Sequence, residues 1–305
     1  MESTYLRTLV EVVNAGSISK ASDTLCVTQP AVSRRIKFME EQYGYPLFDR
    51  SGNALRLTEA GRVVLENAEK LLKIERDLLS GLASLTSQHT VSFSCTPAFG
   101  IAHLPIILKD FMLAYADFSD LNFIFNMPEK IVQGIRAGLF DLALIEHCIC
   151  FDLTDFTTIA LPGDEMVFVS APSLAIPSPL ATFDDLAGYT LYTRREGCCS
   201  RTLLEANLSN ISREIGEFRN MIVYDDLHVI IRATMDGDGV SFLSRDIVAE
   251  HLEQGRLREH RIDGFRHERN RTLVLADKTP IKNPLLANFF ASIFDHFDLP
   301  VPSGF

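Results

Sequence analysis

The sequence predicts an α/β chain in three consecutive parts: an amino-terminal winged helix-turn-helix, a long linker helix, and a two-lobed domain. Three observations predict it. A basic helix, "VTQPAVSRRIKFME", follows two shorter apolar-faced helices and precedes a small hairpin. Apolar residues then repeat with period 3.5 over several heptads. Beyond a polar break, strand and helix patterns alternate, which argues for parallel sheets.

The 305 residues suffice for two or three domains, and 47% hydrophobic with 23% charged residues fits a soluble globular protein. No basic start followed by a hydrophobic run marks a signal peptide, and no apolar run is long enough to span a membrane. The six cysteines are scattered, so reduced thiols in a cytosol are expected. Formal net charge is −11, but residues 1–87 hold 11 basic and 11 acidic residues, so the acidity lies in the remainder. A neutral front carrying one basic helix remains compatible with nucleic acid, which responds to a local patch.

In the first helix Leu6, Leu9, Val10 and Val13 form one apolar face, and Gly16 ends it. Ser17 is placed to cap a second helix that turns Ile18, Ala21 and Leu25 inward. Thr28 caps the third, with Pro30 in its first turn. Val32, Ile36, Met39 and Tyr43 should face the first two helices, while Gln29, Ser33, Arg34 and Lys37 project outward together. Gln suits adenine and Arg suits guanine or phosphate in the major groove. A merely solvated basic face is the other reading. "PLFDRSGNALRLT" reads as two short strands around Ser51-Gly52-Asn53, with Arg50 and Arg56 making a basic wing.

Thr58 caps a helix running to about residue 87, roughly 45 Å long. Val64, Ala68, Leu71, Glu75, Leu78, Leu82 and Leu85 form an a/d seam interrupted once by Glu75. A dimerisation helix is favoured over one lying on its own core.

"GSISKASDTLCVTQPAVSRRIKFMEEQYGYPLFDRSGNALRLTEAG" closely resembles the amino-terminal domain of LysR-type transcriptional regulators, on the "TQPAVS", "LF-R" and "LTEAG" elements. Leu9 and Ser22 are mild departures from the family's usual Phe and Ala. The resemblance covers nearly the whole chain. It implies a DNA-binding domain at 1–58, a linker and dimerisation helix at 59–87, and a periplasmic-binding-protein-like effector domain at 88–305. In that domain lobe I comprises 88–162 and 266–305, and lobe II 163–265. The DNA-contacting set is Thr28, Gln29, Pro30, Ser33, Arg34, Lys37 and Arg50. Implied partners are promoter double-stranded DNA, a small-molecule effector and a second copy of the chain, with tetramers the family habit and RNA polymerase added for an activator. The implied setting is cytoplasmic.

The strands "VSFSC", "LNFIFNM" and "FDLALIEH" alternate with helices, the first running from Pro97 through Leu113. "EMVFVSA" should cross to the second lobe, and "TLVLADK" with a helix at 285–297 should return. Ligands in open α/β sheets bind beyond the strands' carboxyl ends. There 94–99, 127–130 and 193–201 should meet, giving the effector set Ser94, Thr96, Phe99, Met127, Glu129, Gly197, Cys198, Cys199 and Ser200. Helix N-termini attract anions and Arg194, Arg195 and Arg201 lie nearby, so a small anionic effector is expected.

Cys95, Cys148, Cys150, Cys198, Cys199 and His147 all fall near strand ends facing this cleft, which leaves open a thiol-based redox or metal sensor using Cys198/Cys199. Cys199 is close to the reactive position of peroxide-sensing family members, but Leu208 stands where their partner Cys would be. A thiol enzyme with His147 or His228 is the weaker alternative; no GxGxxG, GxSxG or P-loop is present. No catalytic residue, cofactor or metal is expected. Ser244 replaces a common Pro and should loosen its strand end, and Cys26 belongs to the helix-turn-helix core.

Overall fold

The computed structural model describes residues 3–25, 27–49, 55–85, 90–115, 120–149, 151–276, 281 and 283–302. Helices α1 (Ser3–Ala15), α2 (Ile18–Thr24) and α3 (Gln29–Tyr43) pack on one another and lead to β1 (Phe48–Asp49), β2 (Arg56–Leu57) and α4 (Glu59–Leu85). β1 and β2 pair antiparallel, Phe48 opposite Leu57. The wing's turn, at 51–53, and Arg50 lie outside the described residues, as do Cys26 and Cys150. Leu9, Val12, Ala21, Val32, Ile36, Met39 and Leu47 are completely buried together, so the apolar periodicity finds its core. Tyr43 does not: it lies in the last turn of α3, before the left-handed Gly44, and stays 37% exposed.

Capping differs from expectation. Ser17 and Thr28 occupy N-cap positions with extended backbones, but neither side chain bonds the helix it precedes. Thr58 does: its Oγ1 accepts from the Gly61 N–H at 2.9 Å while donating to the Pro46 carbonyl at 2.7 Å.

The larger part begins with β3 (Thr90–Cys95), α5 (Pro97–Ala102), α6 (Leu104–Ala114), β4 (Asp120–Phe125), α7 (Pro128–Arg136) and β5 (Leu142–His147). The single helix expected from Pro97 to Leu113 is therefore two. It breaks at His103 because Pro105 has no N–H to bond back to Ile101. β6 (Thr157–Ser170) then leads to β7 (Leu180–Ala181), α8 (Phe183–Ala187), β8 (Thr190–Thr193), α9 (Cys199–Asn210) and β9 (Asn220–Val223). The chain closes with α10 (Leu227–Met235), β10 (Val240–Ser244), α11 (Arg245–Glu253), β11 (Arg258–Ile262), β12 (Glu268–Leu275) and α12 (Pro284–His296).

The strands follow the order β4-β3-β5-β12-β6-β10-β8-β9, with β11 also on β6. β3, β4 and β5 run parallel, as do β8, β9 and β10, giving each lobe the α/β sheet that strand–helix alternation demands. The crossing strand starts at Thr157, well before Glu165. Its first part pairs antiparallel with β12 and its last with β10. Pro162-Gly163 reads locally as a break, yet the strand continues through it. The partner β12 absorbs the irregularity in a register shift between Arg269 and Arg271.

Lobe I has an aromatic core. The rings of Phe93 and Phe111 meet that of Phe289 edge-on at 5.2 and 5.7 Å, tying α12 to the sheet. Lobe II buries Phe168, Phe218, Phe242 and Leu204 on one face of its sheet and Ile230, Val248 and Leu243 on the other.

Candidate functional site

The outer face of α3 presents Thr28, Gln29, Pro30, Arg34 and Lys37 to solvent, with Ser33 partly covered. Gln29 Nε2 donates to Ser19 Oγ at 2.8 Å, so its amide is pre-set against α2. Lys37 sits 3.5 Å from Glu41, a pair exposed on both sides and therefore weak. The third cation of the run behaves differently: Arg35 turns back and donates to Thr8 Oγ1 of α1 at 3.1 Å, so it braces the domain. Arg56 is exposed on β2.

The α4 seam divides between two jobs. Ala68 and Leu72 are buried against Leu6 and Val10 of α1, while Val63, Leu71, Ile74 and Leu78 remain 52–62% exposed in one stripe. Glu75, the interruption in the heptads, bonds Arg7 of α1 at 3.2 Å. One edge of this helix thus lies on its own domain, and the other is exposed. The side chains of Leu82 and Leu85 lie outside the described residues.

Between the lobes is a cavity of about 50 Å³. Thr96 to Ala98 at the head of α5, Met127 and Pro128 at α7, Cys198 to Ser200 at α9, Leu227 at α10 and Ser244 at α11 reach it, so five helix N-termini converge. Neither Met127 nor Cys198 caps its helix with a side chain, which leaves first-turn N–H groups to act on the cavity. Arg194 also lines it; Asp225 holds one Nη at 3.2 Å, but its buried Nε has no acceptor.

The LysR substrate binding domain family matches residues 86–298, and the bacterial regulatory helix-turn-helix protein, lysR family, matches residues 4–62. The chain belongs to the LysR family. It is a LysR-type transcriptional regulator with a DNA-binding domain and an effector-binding domain. It is 26% identical over 308 residues, 99% of each chain, to the HTH-type transcriptional regulator GltR of Bacillus subtilis (strain 168). It is 27% identical over 277 residues to a probable RuBisCO transcriptional regulator of Nostoc sp., covering 88% of this chain and 81% of that one. Full-length CbnR complexed with its target DNA has the same fold, with a TM-score of 0.54 and 19% identity over 97% of this chain and 100% of that one.

Within this LysR-type cleft the residues expected from the sequence separate into three groups. Thr96, Met127, Cys198, Cys199 and Ser200 line the cavity, and Glu129 and Gly197 line a smaller neighbouring one. Ser94 and Phe99 line neither. Ser94 is fully buried in β3, its hydroxyl donating to the Ile124 carbonyl at 2.9 Å, and Phe99 belongs to the lobe I core. The arginines expected to draw an anion all have acidic partners: Arg194 and Arg195 share Asp225, and Arg201 pairs with Glu196 and Glu205. His228 is exposed beside the Asp226 cap. His147 engages the Ile149 carbonyl at 2.7 Å and Thr272 at 2.9 Å.

The cavity floor was hidden from sequence reading. Fully buried Glu146 accepts from Thr96 Oγ1 at 2.7 Å, the Phe99 N–H at 3.2 Å, and Arg269 and Arg271 at 3.0 Å each. Arg269 also donates to Asp164 at 2.6 Å, and Ser244 donates to Asp164 at 2.8 Å. Ser244 therefore fastens its strand end instead of loosening it. Burial works to raise the Glu146 carboxyl, but the two guanidiniums outweigh it and the result lies below the usual range. Asp164 goes the other way, pushed up by burial to about 6. Among the described residues no three His, Cys, Asp or Glu side chains are placed to hold a metal ion, and no helix is long and apolar enough to cross a membrane.

Proposed function

We propose that this LysR-type regulator acts in the cytoplasm and responds to a small carboxylate or similar anion bound between its lobes. The observation that carries the reading is the Arg194 Nε, buried without an acceptor at a cavity on which five helix N-termini converge. Such a site supplies N–H donors and positive potential in one place. At about 50 Å³ the cavity is well below the roughly 300–1,000 Å³ of ordinary ligand pockets, so binding parts the lobes and strains the bonds that cross between them.

On the DNA side, Thr28, Gln29, Pro30, Ser33, Arg34, Lys37 and the wing Arg50 form the contact set. The free stripe of Leu71, Ile74 and Leu78 on α4 seats the same stripe of a second copy, which sets two copies of α3 on two half-sites. Pairing of dimers into tetramers, and contact with RNA polymerase if the regulator activates, follow the family's habit.

A thermal-shift screen of the full chain against small carboxylates, amines and neutral sugars tests the effector class. A carboxylate should raise Tm by mass action, and Arg194→Met should abolish that shift while leaving promoter binding intact. Stabilisation by amines or neutral compounds alone would overturn the anionic reading.

A further inference from the structure

The lining of the cavity between the lobes is of two kinds. Arg194, just past the end of β8 and only 7% exposed, brings an Nε that has no acceptor. Ser200, in the first turn of α9, adds a hydroxyl. Ala98, Leu227, Leu243 and Ile247 supply hydrocarbon, and they belong to one buried cluster. Ala98 comes from α5 of lobe I and the three larger residues from lobe II, so this apolar wall is shared between the lobes. Met127 and Met166 add thioethers, which are flexible enough to follow a ligand's outline.

The remaining charged groups of the lining are already spent. Among the described residues that line the cavity, Glu146 is the one acid, and Thr96, Phe99, Arg269 and Arg271 all donate to it. Arg269 is divided between Glu146 and Asp164, and the Ser244 hydroxyl is given to Asp164. We infer that the effector is an amphipathic monocarboxylate: one acid group for Arg194, an uncharged hydrocarbon body for the wall of Ala98, Leu227, Leu243 and Ile247, and neither an ammonium nor a second acid. This inference rests on the anionic reading given above and narrows it.

Each exclusion has a physical cause. An ammonium entering here meets Arg194 and Arg269, and the acid on the lining already carries two guanidiniums. A second carboxylate needs a second cation, yet Arg269 could serve it only by leaving Glu146 and Asp164, both buried. A neutral ligand leaves the Arg194 Nε buried and unpaired. A hydrocarbon body, in contrast, gains with every methylene removed from water, and it touches both lobes at once.

The test is calorimetric titration of the full chain, at pH 7 and constant ionic strength, with acetate, butyrate, hexanoate, adipate, norleucine and hexan-1-ol. Adipate is hexanoate with a second carboxylate and norleucine is hexanoate with an α-ammonium, so each isolates one exclusion. Affinity should rise about three- to fourfold for each methylene from acetate to hexanoate. Adipate, norleucine and hexan-1-ol should each bind more than about tenfold more weakly than hexanoate. Leu227→Ser should lower the gain per methylene; the slope across the series is read, which a general loss of affinity does not change. An affinity that stays level from acetate to hexanoate, or adipate or norleucine equalling hexanoate, overturns the inference while the anionic reading stands. Hexan-1-ol binding as tightly as hexanoate, or failure of every acid to bind, overturns both.

Discussion

Arg271, on the strand that returns to lobe I, donates to Asp246 at the head of α11 in lobe II at 2.9 Å. The same guanidinium holds Glu146, so one buried cation serves a carboxylate from each lobe. Asp246 is held well below the usual carboxylate range because its bonds to His103 and Arg271 outweigh its burial. Replacing Arg271 by Met removes a cation that both carboxylates share, leaving Glu146 to Arg269 and Asp246 to His103. Unfolding in urea should show a loss of about 3–5 kcal/mol. A change below about 1 kcal/mol would mean that the network is solvated.

Arg34 is the cation on α3 most available to a duplex, because Lys37 leans to Glu41 and Arg35 is turned inward. Arg34→Ala should weaken promoter binding by about 1–3 kcal/mol, and Lys37→Ala should reduce the slope of log affinity against log salt by about 1. Fluorescence anisotropy across a salt series measures both. Arg35→Ala should lower the domain's stability instead, since its partner is Thr8.

The divided α4 predicts two different failures. Leu78→Asp places a charge in the exposed stripe and should yield monomers in sedimentation, with the monomer's Tm little changed. Leu72→Ala empties a buried site against Leu6 and Val10 and should cost about 2–5 kcal/mol without preventing self-association. Equal effects from both would refute the division.

Mild acid should destabilise the protein through its buried imidazoles. His251, His260 and His296 all lie below their ordinary value of 6.5, with burial the main cause in each. An imidazole kept neutral by the fold gains a proton on unfolding, so its contribution is complete above about 6.5 and declines as pH falls below that. Asp164, raised to about 6, has the opposite sign but acts only below that value, where the folded state holds its extra proton. Tm should therefore fall between pH 7.5 and 6, and His296→Gln should flatten the fall.

The amino-terminal third was legible because its faces arise from local periodicity: Val32, Ile36 and Met39 recur at helical spacing and are buried together. The resemblance in "TQPAVS" then supplied the role. The cavity rim was legible where a strand ends and a helix begins, as at Thr96 and Met127. The charged network beneath it was not, because Glu146 and Arg269, which line it, and Asp164, which holds Arg269, come from three distant segments and each, read alone, looks like a solvated charge. The i, i+2 spacing of Arg269 and Arg271 hinted at a common strand face, but nothing local says that face is covered. The approach of the Cys148 sulfur to the Cys199 carbonyl is likewise a product of tertiary folding.

Pro162 and Gly163 lie midway along β6, where a Cβ added to Gly163 would come within 3.0 Å of the Arg269 carbonyl. The neighbouring strand is out of register here, yet β6 is continuous from lobe to lobe. A continuous strand resists stretching and yields to twist. Any turning of one lobe against the other is therefore expected as torsion of β6 here and of the returning β12 beside it, not as a change in strand length.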